Sequence, residues 1–425
     1  GDAQPPPAQA LVVVGAGAAG LMAALFAQRA GARTLLLERT PDGGRKILIS
    51  GGGRCNILPE KVQPERFVTD SSPNLLKKML RIWPLPEQIA FFERELGMPL
   101  VLGSETGKYF PESNQARDVR DGLLVRYREA GGAVRFQSTL CGLRPDSPVW
   151  VLDTSEGVSV PARTVILATG GLSVPKTGSD GMGLALARRL GHPVHEPYPA
   201  LTPLTGANAA HAALSGVSLD VLLDAPGARP RFQTRGGFLF THRGYSGPTV
   251  LDVSHLAVRS RRDRTTQPIT VSWTELPREA WESMLTRGSG KVRSVLNQHL
   301  PARLSERLLH ECGIEEQTDL SQLKREDRKA LLAALTAYPL PWSGDEGYKK
   351  AEVTGGGVAL EAVDPRTFES KSCPGLFLCG EILDAFGPIG GHNFLWAWAT
   401  GRAAGTGAAG RAASGYTQPA SGLEE

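Results

Sequence analysis

Residues 11–20 read LVVVGAGAAG, and an Ala-rich stretch, LMAALFAQRAG, runs on from Leu21. Four apolar residues make a short buried strand, and Gly15-x-Gly17-x-x-Gly20 turns that strand into a helix. The first glycine permits the tight turn, the second lets the backbone approach a pyrophosphate, and the third lets helix and strand pack closely. Unpaired N–H groups and the positive end of the helix dipole then face the phosphates. A second apolar strand, ARTLLLER, ends in Glu38 eighteen residues past Gly20, where a carboxylate can accept hydrogen bonds from ribose hydroxyls. The motif alone is weak, but strand, turn, helix and acidic residue in succession predict a βαβ unit that binds a dinucleotide. Gly15, Gly17, Ala18, Ala19, Gly20, Glu38 and Arg39 are its expected contacts.

The uncharged run 11–28 also has the length of a signal or membrane segment. No positive residues precede it and its glycines fall at motif positions, so it reads as strand, turn and helix, with no membrane partner expected. GDAQPPPAQA, residues 1–10, reads as a flexible leader. Five cysteines, at 55, 141, 312, 373 and 379, are odd in number and scattered, unlike a disulfide framework or a zinc site. A reducing cytoplasm follows, and no metal is expected. A net charge of +4 over 425 residues is too mild to call for nucleic acid. The sharpest basic cluster, RSRRDR at 259–264, reads as a solvated hairpin tip or a polyanion contact.

Residues 11–192 show α/β character, with apolar strands such as ILIS (47–50) and TVIL (164–167). Residues 193–276 are Pro- and Gly-punctuated with short alternating strands, including TVLDVS, and read as an inserted β-rich, barrel-like module. Residues 277–345 carry helical periodicity, and residues 346–412 return to α/β, leaving 413–425 as a tail. The fold class is thus α/β: a Rossmann-like cofactor domain interrupted by a β-rich module and a small helical subdomain.

Two later stretches choose between dinucleotides. TVILATGG (164–171) sets a strand against an Ala-Thr-Gly turn, and LFLCGE (376–381) ends a strand in Gly-Glu. With the N-terminal turn they resemble the three-part FAD signature of the glutathione-reductase-like superfamily, in which the last acidic residue holds the ribityl chain. Ala168, Thr169, Gly170, Gly380 and Glu381 are its counterparts here. No second GxGxxG lies between the parts, so a separate NAD(P)H domain is not evident.

GGRKILISGGGRCN (43–56), GGLSVPKTGSDGMGLALARRLGH (170–192), FLFTHRGYSGPTVLDVS (238–254), AEVTGGGV (351–358) and GEILDAFGPIGGHNFLWAWATG (380–401) occur in this order. They resemble the BaiN/YhiN-type family of bacterial NAD(P)/FAD-dependent flavoproteins over roughly residues 10–410. The resemblance implies non-covalent FAD, with the loop Lys46, Ser50, Gly51, Gly52, Gly53, Arg54, Cys55 and Asn56 beside the flavin. Glycines there suit a planar ring stacked on backbone, while Arg54 and Asn56 either bond the ring and phosphate or only brace the turn. Cys55 lacks the second cysteine that dithiol chemistry needs and reads as a packed residue.

Gly390 and Gly391 would let a helix N-terminus reach the pyrimidine side of the ring, where its dipole favours reduced flavin. Asn393 could hydrogen-bond that ring. His392, where the family pattern has Tyr, offers either a titratable contact or a neutral surface imidazole. His242 is the candidate general acid and Tyr245 a candidate for orienting a substrate carbonyl, although Thr-His before a glycine turn often caps a strand.

The expected activity is that of an FAD-dependent oxidoreductase, reduced by NAD(P)H and passing hydride to a small organic acceptor such as a conjugated enone. An amine-type (aminoacetone-like) oxidase using oxygen, a flavin-binding tRNA-modifying protein and a sensor without turnover are the alternatives.

Overall fold

The computed structural model describes residues 9–414 apart from residues 105 and 179. The leader before Gln9 and the tail beyond Ser414 lie outside the described residues. Two compact units divide the chain. One joins the chain up to Pro197 to the chain from Val353, and the other is Tyr198–Glu352.

In the first unit four strands are parallel in the order Ala133–Arg135, Thr34–Leu37, Gln9–Val14 and Ser159–Leu167. Leu376–Leu378 adds a fifth parallel strand against the end of Ser159–Leu167. The first half of that long strand instead carries an antiparallel extension, Val149–Thr154 and Leu140–Asp146. Leu11, Val12, Val13, Val165 and Ile166 have no exposed surface. Parallel strands are covered on both faces, so they read as unbroken apolar runs. The first strand begins at Gln9, which pairs with Ala162, so residues 9 and 10 belong to the sheet and not to a leader.

Helix Ala18–Arg29 packs on the long helix His392–Ala413 at backbone contact. A Cβ at Gly401 would fall 2.4 Å from the Ala19 carbonyl oxygen, and one at Gly405 2.2 Å from that of Ala23. This is why the long helix is rich in glycine despite the helix-weakening cost.

The ILIS stretch is not a strand. Arg45–Ile49 is one helical turn started by Gly44 at φ 60°. It buries Ile47 and leaves Ile49 56% exposed, which suits a single turn lying against the core.

The second unit is built on an antiparallel sheet, ordered Tyr338–Pro339, Thr270–Ser272, Ser218–Ala225, Phe232–Phe240, Gly244–Ser246, Leu204–Thr205 and Gly344–Asp345. Helix Pro248–Arg262 lies against it, where the sequence reads a strand and a hairpin tip. Proline at its first position and buried residues at 250, 253, 254, 257 and 258 give the helical stripe. Helices Arg278–Arg287, Val292–Asn297, Ala302–Glu311 and Arg325–Thr336 complete the unit. A single core, including Phe238, Phe240, Trp273, Trp281, Leu304 and Leu331, serves both the β-rich and the helical segments.

Candidate cofactor and active site

The turn between the first strand and first helix separates two kinds of glycine. A Cβ at Gly15 would fall 2.3 Å from the Ala168 carbonyl oxygen, and one at Gly20 1.6 Å from the Gly15 oxygen, so the protein's own packing requires both. Gly17 has no protein atom within 4 Å of such a Cβ, and its φ of −83° strains nothing. The space beside it is open, as a bound pyrophosphate needs. Ala18 and Ala19 are the helix's first two residues.

Glu38 follows directly on the second strand and is buried. Its Oε1 accepts from Ala16 N at 3.0 Å and its Oε2 from Thr40 N at 3.0 Å, which fixes the carboxylate under the turn. Neighbouring Arg39 pairs with Asp180 at the surface.

On the next strand, Ala168 N donates to the Val14 carbonyl at 2.9 Å. The Thr169 hydroxyl is buried and makes no hydrogen bond, and Gly170 turns away with φ 73°. A buried hydroxyl without a partner is uncommon in a finished core, and this one sits beside the glycine turn.

Lys46 and Glu381 meet at 2.9 Å. Lys46 Nζ also donates to Ser173 Oγ at 2.7 Å, and Glu381 Oε1 accepts from Thr354 N at 2.6 Å. Gly380, with φ 78°, lies so close to the first helix that a Cβ would be 2.7 Å from that of Ala19. Sequence reasoning picked out Lys46 and Glu381 separately. It missed Ser173 and Thr354, whose roles show only once the chain brings them to this carboxylate.

The SGGG stretch is a left-handed turn. Gly51, Gly52 and Gly53 have φ of 57°, 67° and 89°, which explains the glycines through backbone conformation. Around Gly52 and Gly53 the Cβ direction is empty, whereas at Gly51 it runs into Asn56 Oδ1. Ser50 Oγ donates to the Ile47 carbonyl at 2.6 Å, and Cys55 N to the Ser50 carbonyl at 3.0 Å. Arg54 braces the turn through Nε to the Gly51 carbonyl, 3.3 Å, and its guanidinium lies 4.4 Å from the Phe110 ring centroid. Cys55 has no exposed surface, and burial pushes its thiol up to about 12. It is a packed thiol and no nucleophile.

The glycine pair before the long helix meets two short strands. A Cβ at Gly390 would be 3.3 Å from Lys108 Cε, and one at Gly391 2.5 Å from the Leu58 carbonyl carbon. Asn393 spends its amide on its own turn, with Oδ1 accepting from Gly387 N at 2.8 Å and Nδ2 donating to the Gly387 carbonyl at 3.0 Å. The side chain shapes the turn and keeps one N–H beyond the Gly387 bond. His392 is buried, not surface-facing, and stands edge-on to Phe67. Burial holds its imidazolium down, to about 4.

The two residues read as catalytic lie in the other unit. His242 is exposed. Tyr245 has no exposed surface, and its hydroxyl meets His211 Nδ1 at 2.6 Å. Burial, with the Glu311 charge nearby, raises its pKa well above the usual phenol range. A wholly buried, committed hydroxyl cannot orient a substrate, so Tyr245 is a core residue. Trp396 and Trp398 are likewise buried, their indole N–H groups bonded to the carbonyls of Gly380 and Ile57.

A model of the HI0933-like protein Rossmann domain matches residues 9–407. The chain belongs to that family. Its members are FAD-dependent oxidoreductases of the BaiN/YhiN type. A ribosomal RNA dihydrouridine synthase of Escherichia coli K12 is 32% identical over 410 residues, 92% of this chain and 95% of that protein. A 3-dehydro-bile acid delta(4,6)-reductase of Clostridium scindens is 31% identical over 418 residues, 94% of this chain and 98% of that protein. Among solved structures, the open conformation of a flavocytochrome c3 fumarate reductase superposes with a TM-score of 0.51 at 18% identity, over 96% of this chain and 79% of that one. A 3-ketosteroid delta1-dehydrogenase from Sterolibacterium denitrificans gives 0.51 at 13%, over 95% and 99%. At such identities the likeness is one of fold. Among the described residues no helix is long and apolar enough to cross a membrane.

Proposed function

We propose that the chain is an NAD(P)H-dependent reductase of carbon–carbon double bonds conjugated to a carbonyl, and that its acceptor is a uracil ring in ribosomal RNA. The observation that carries this is the pair of near-full-length relatives, whose two names describe one chemistry. Forming dihydrouridine saturates a C5=C6 bond conjugated to the C4 carbonyl. A delta(4,6)-reductase of a 3-dehydro substrate works on double bonds conjugated to the 3-oxo group. For this chain, hydride would reach a carbon in conjugation with the carbonyl (β, or δ through a second double bond) and a proton the neighbouring carbon nearer the carbonyl, while NAD(P)H is oxidised to NAD(P)+. Both names describe reduction, which favours a reductase over an oxygen-using amine oxidase. The nucleic-acid acceptor departs from the small-molecule acceptor read from the sequence, because two ribosomal RNA enzymes match over 92% of this chain.

FAD, when bound, supplies the hydride-transfer chemistry. The open space at Gly17 and the first N–H groups of helix Ala18–Arg29 suit its pyrophosphate, and Glu38, fixed under that turn, suits a ribose hydroxyl. Lys46, Ser173 and Thr354 hold Glu381 for the ribityl chain. Gly52 and Gly53, whose side-chain directions are open, offer backbone without side chains to a planar ring. The N-terminus of the 22-residue helix His392–Ala413 favours negative charge on that ring. The cysteines are all unpaired, which supports a reducing, cytoplasmic setting.

The test is anaerobic. FAD-loaded protein is titrated with NADH and then NADPH, followed by a ribosomal RNA transcript whose nucleosides are analysed by mass spectrometry. Flavin bleaching by one nucleotide and the appearance of dihydrouridine are expected. A flavin that only dithionite bleaches, or a reduced enzyme that leaves uridine intact, would overturn the reading.

A further inference from the structure

We propose that the arginine-rich end of the Tyr198–Glu352 unit is a binding surface for the phosphate backbone of RNA. The proposal rests on the ribosomal RNA reading above and names the part of the protein that would hold that substrate.

Residues 229–264 contain eight arginines, no lysine, two aspartates and no glutamate. This short stretch carries more positive charge than the whole chain's net +4. The fold gathers six of the arginines at one end of the unit. Strands Ser218–Ala225 and Phe232–Phe240 pair as far as Ala225 and Phe232, which leaves Arg229 and Arg231 on the connecting turn. Helix Pro248–Arg262 runs back along the second strand. Thr249 Oγ1 bonds the Gly237 carbonyl at 2.7 Å, and further on His255 stands 5.5 Å from Phe232, ring to ring. Beyond the helix, Gln267 Nε2 donates to the Pro226 carbonyl at 3.0 Å, tying the segment after Arg264 to the hairpin turn. Arg259, Arg261, Arg262 and Arg264 therefore share an end with Arg229 and Arg231.

Three of these six arginines have an aspartate within 4 Å. Asp224 lies 3.7 Å from Arg231, Asp345 3.3 Å from Arg261 and Asp263 3.9 Å from Arg262. In each pair the arginine is solvent-exposed and the distance exceeds that of a close charged hydrogen bond, so the attraction is weak. Arg229 and Arg264 are exposed and make no ion pair with a described residue. The guanidinium groups of Arg259 and Arg262 rest over Tyr198, at 5.6 and 5.9 Å, which holds two of the cations in place.

Arginine in every basic position favours phosphate over a general polyanion contact, because its planar fork pairs bidentately with phosphate oxygens and is weakly hydrated. A membrane surface would add exposed apolar side chains to the basic ones. Among the described residues the exposed large apolar ones, Ile49, Val101, Leu102, Val125 and Val158, all lie in the other unit.

The experiment uses the full-length, FAD-loaded protein and the variant Arg229→Gln/Arg262→Gln/Arg264→Gln, with a ribosomal RNA transcript as probe. Affinity is measured across a potassium chloride series, dihydrouridine formation is scored alongside, and FAD content and Tm check the fold. The variant should keep its FAD and Tm, bind the transcript on the order of tenfold more weakly, and lose about two units of salt slope, roughly 0.7 for each of the three phosphate contacts removed. An unchanged slope in a variant whose parent forms dihydrouridine would overturn this surface and leave the proposed reaction standing. A parent that neither binds the transcript nor forms dihydrouridine overturns the ribosomal RNA reading and this surface with it. Parent protein that ignores RNA but is retained on anionic phospholipid vesicles, with retention lost in the variant, overturns it in favour of a lipid surface.

Discussion

Lys46 Nζ donates to Glu381 Oε2 at 2.9 Å, closing a contact between residues 335 positions apart. The two side chains are 27% and 18% exposed, so the pair is only partly screened by water. Glu381→Gln keeps the shape, removes the charge and leaves one oxygen to accept where Lys46 and Thr354 now have two. We expect it to weaken FAD binding about tenfold and to lower unfolding stability by about 1–2 kcal/mol. Titration of the apoprotein with FAD, with denaturant unfolding alongside, checks both. Lost stability at unchanged FAD affinity would reduce the pair to a structural clamp.

The two outer glycines of the first turn and the middle one should respond differently to alanine. At Gly20 the new Cβ would lie 1.6 Å from the Gly15 oxygen, so Gly20→Ala should cost about 3 kcal/mol or more and yield little folded protein. At Gly17 no protein atom is in reach. Gly17→Ala should change apoprotein stability by less than about 1 kcal/mol. It should nonetheless cost FAD affinity on the order of tenfold, because only the ligand meets the methyl group. Equal losses of stability in the two variants would show that the space at Gly17 has no ligand-binding purpose.

This turn was legible in the sequence because its constraints are local: a strand, three glycines and an acidic residue within thirty positions. The Lys46–Glu381 contact was not, since nothing near either residue names its partner. ILIS was misread because one turn of helix and a short strand look alike in an apolar run of four. TVLDVSHLAVRS misled through its valines and threonine, which favour strands on propensity, although its period of three to four was that of a helix. Asn393 shows a further limit. Its residue type announced a donor, but only the folded loop shows that Gly387 takes both ends of the amide.

Stability should fall in mild acid. Burial holds both His392 and His255 down to about 4, against the ordinary 6.5. Between those values the unfolded chain binds more protons than the folded one. The stability these neutral rings represent is therefore present above pH 6.5 and is lost as pH falls towards 4, by up to about 3 kcal/mol for each ring. Urea midpoints at about pH 7.5 and about pH 5 measure the fall, and His392→Phe should make it shallower. A titration of His392 near 6.5 in the folded protein, followed by NMR, would sink this account.

Tyr245 is the sharpest separation of structure from catalysis. Its hydroxyl meets His211 Nδ1 at 2.6 Å, and on the other side of that ring Nε2 stands 2.9 Å from the Tyr338 hydroxyl. Tyr338 in turn donates to Glu311 Oε1 at 2.7 Å. Tyr245→Phe would leave one buried imidazole nitrogen without its partner, which costs about 1–3 kcal/mol. Turnover measured well below the lowered Tm should match the parent in kcat and KM, because the residue has no surface to present to a substrate. His242→Ala, at an exposed position, should leave Tm unchanged, so any activity it loses reports on function alone. A Tyr245→Phe protein of parental stability with a large loss of kcat would restore the catalytic role that burial denies it.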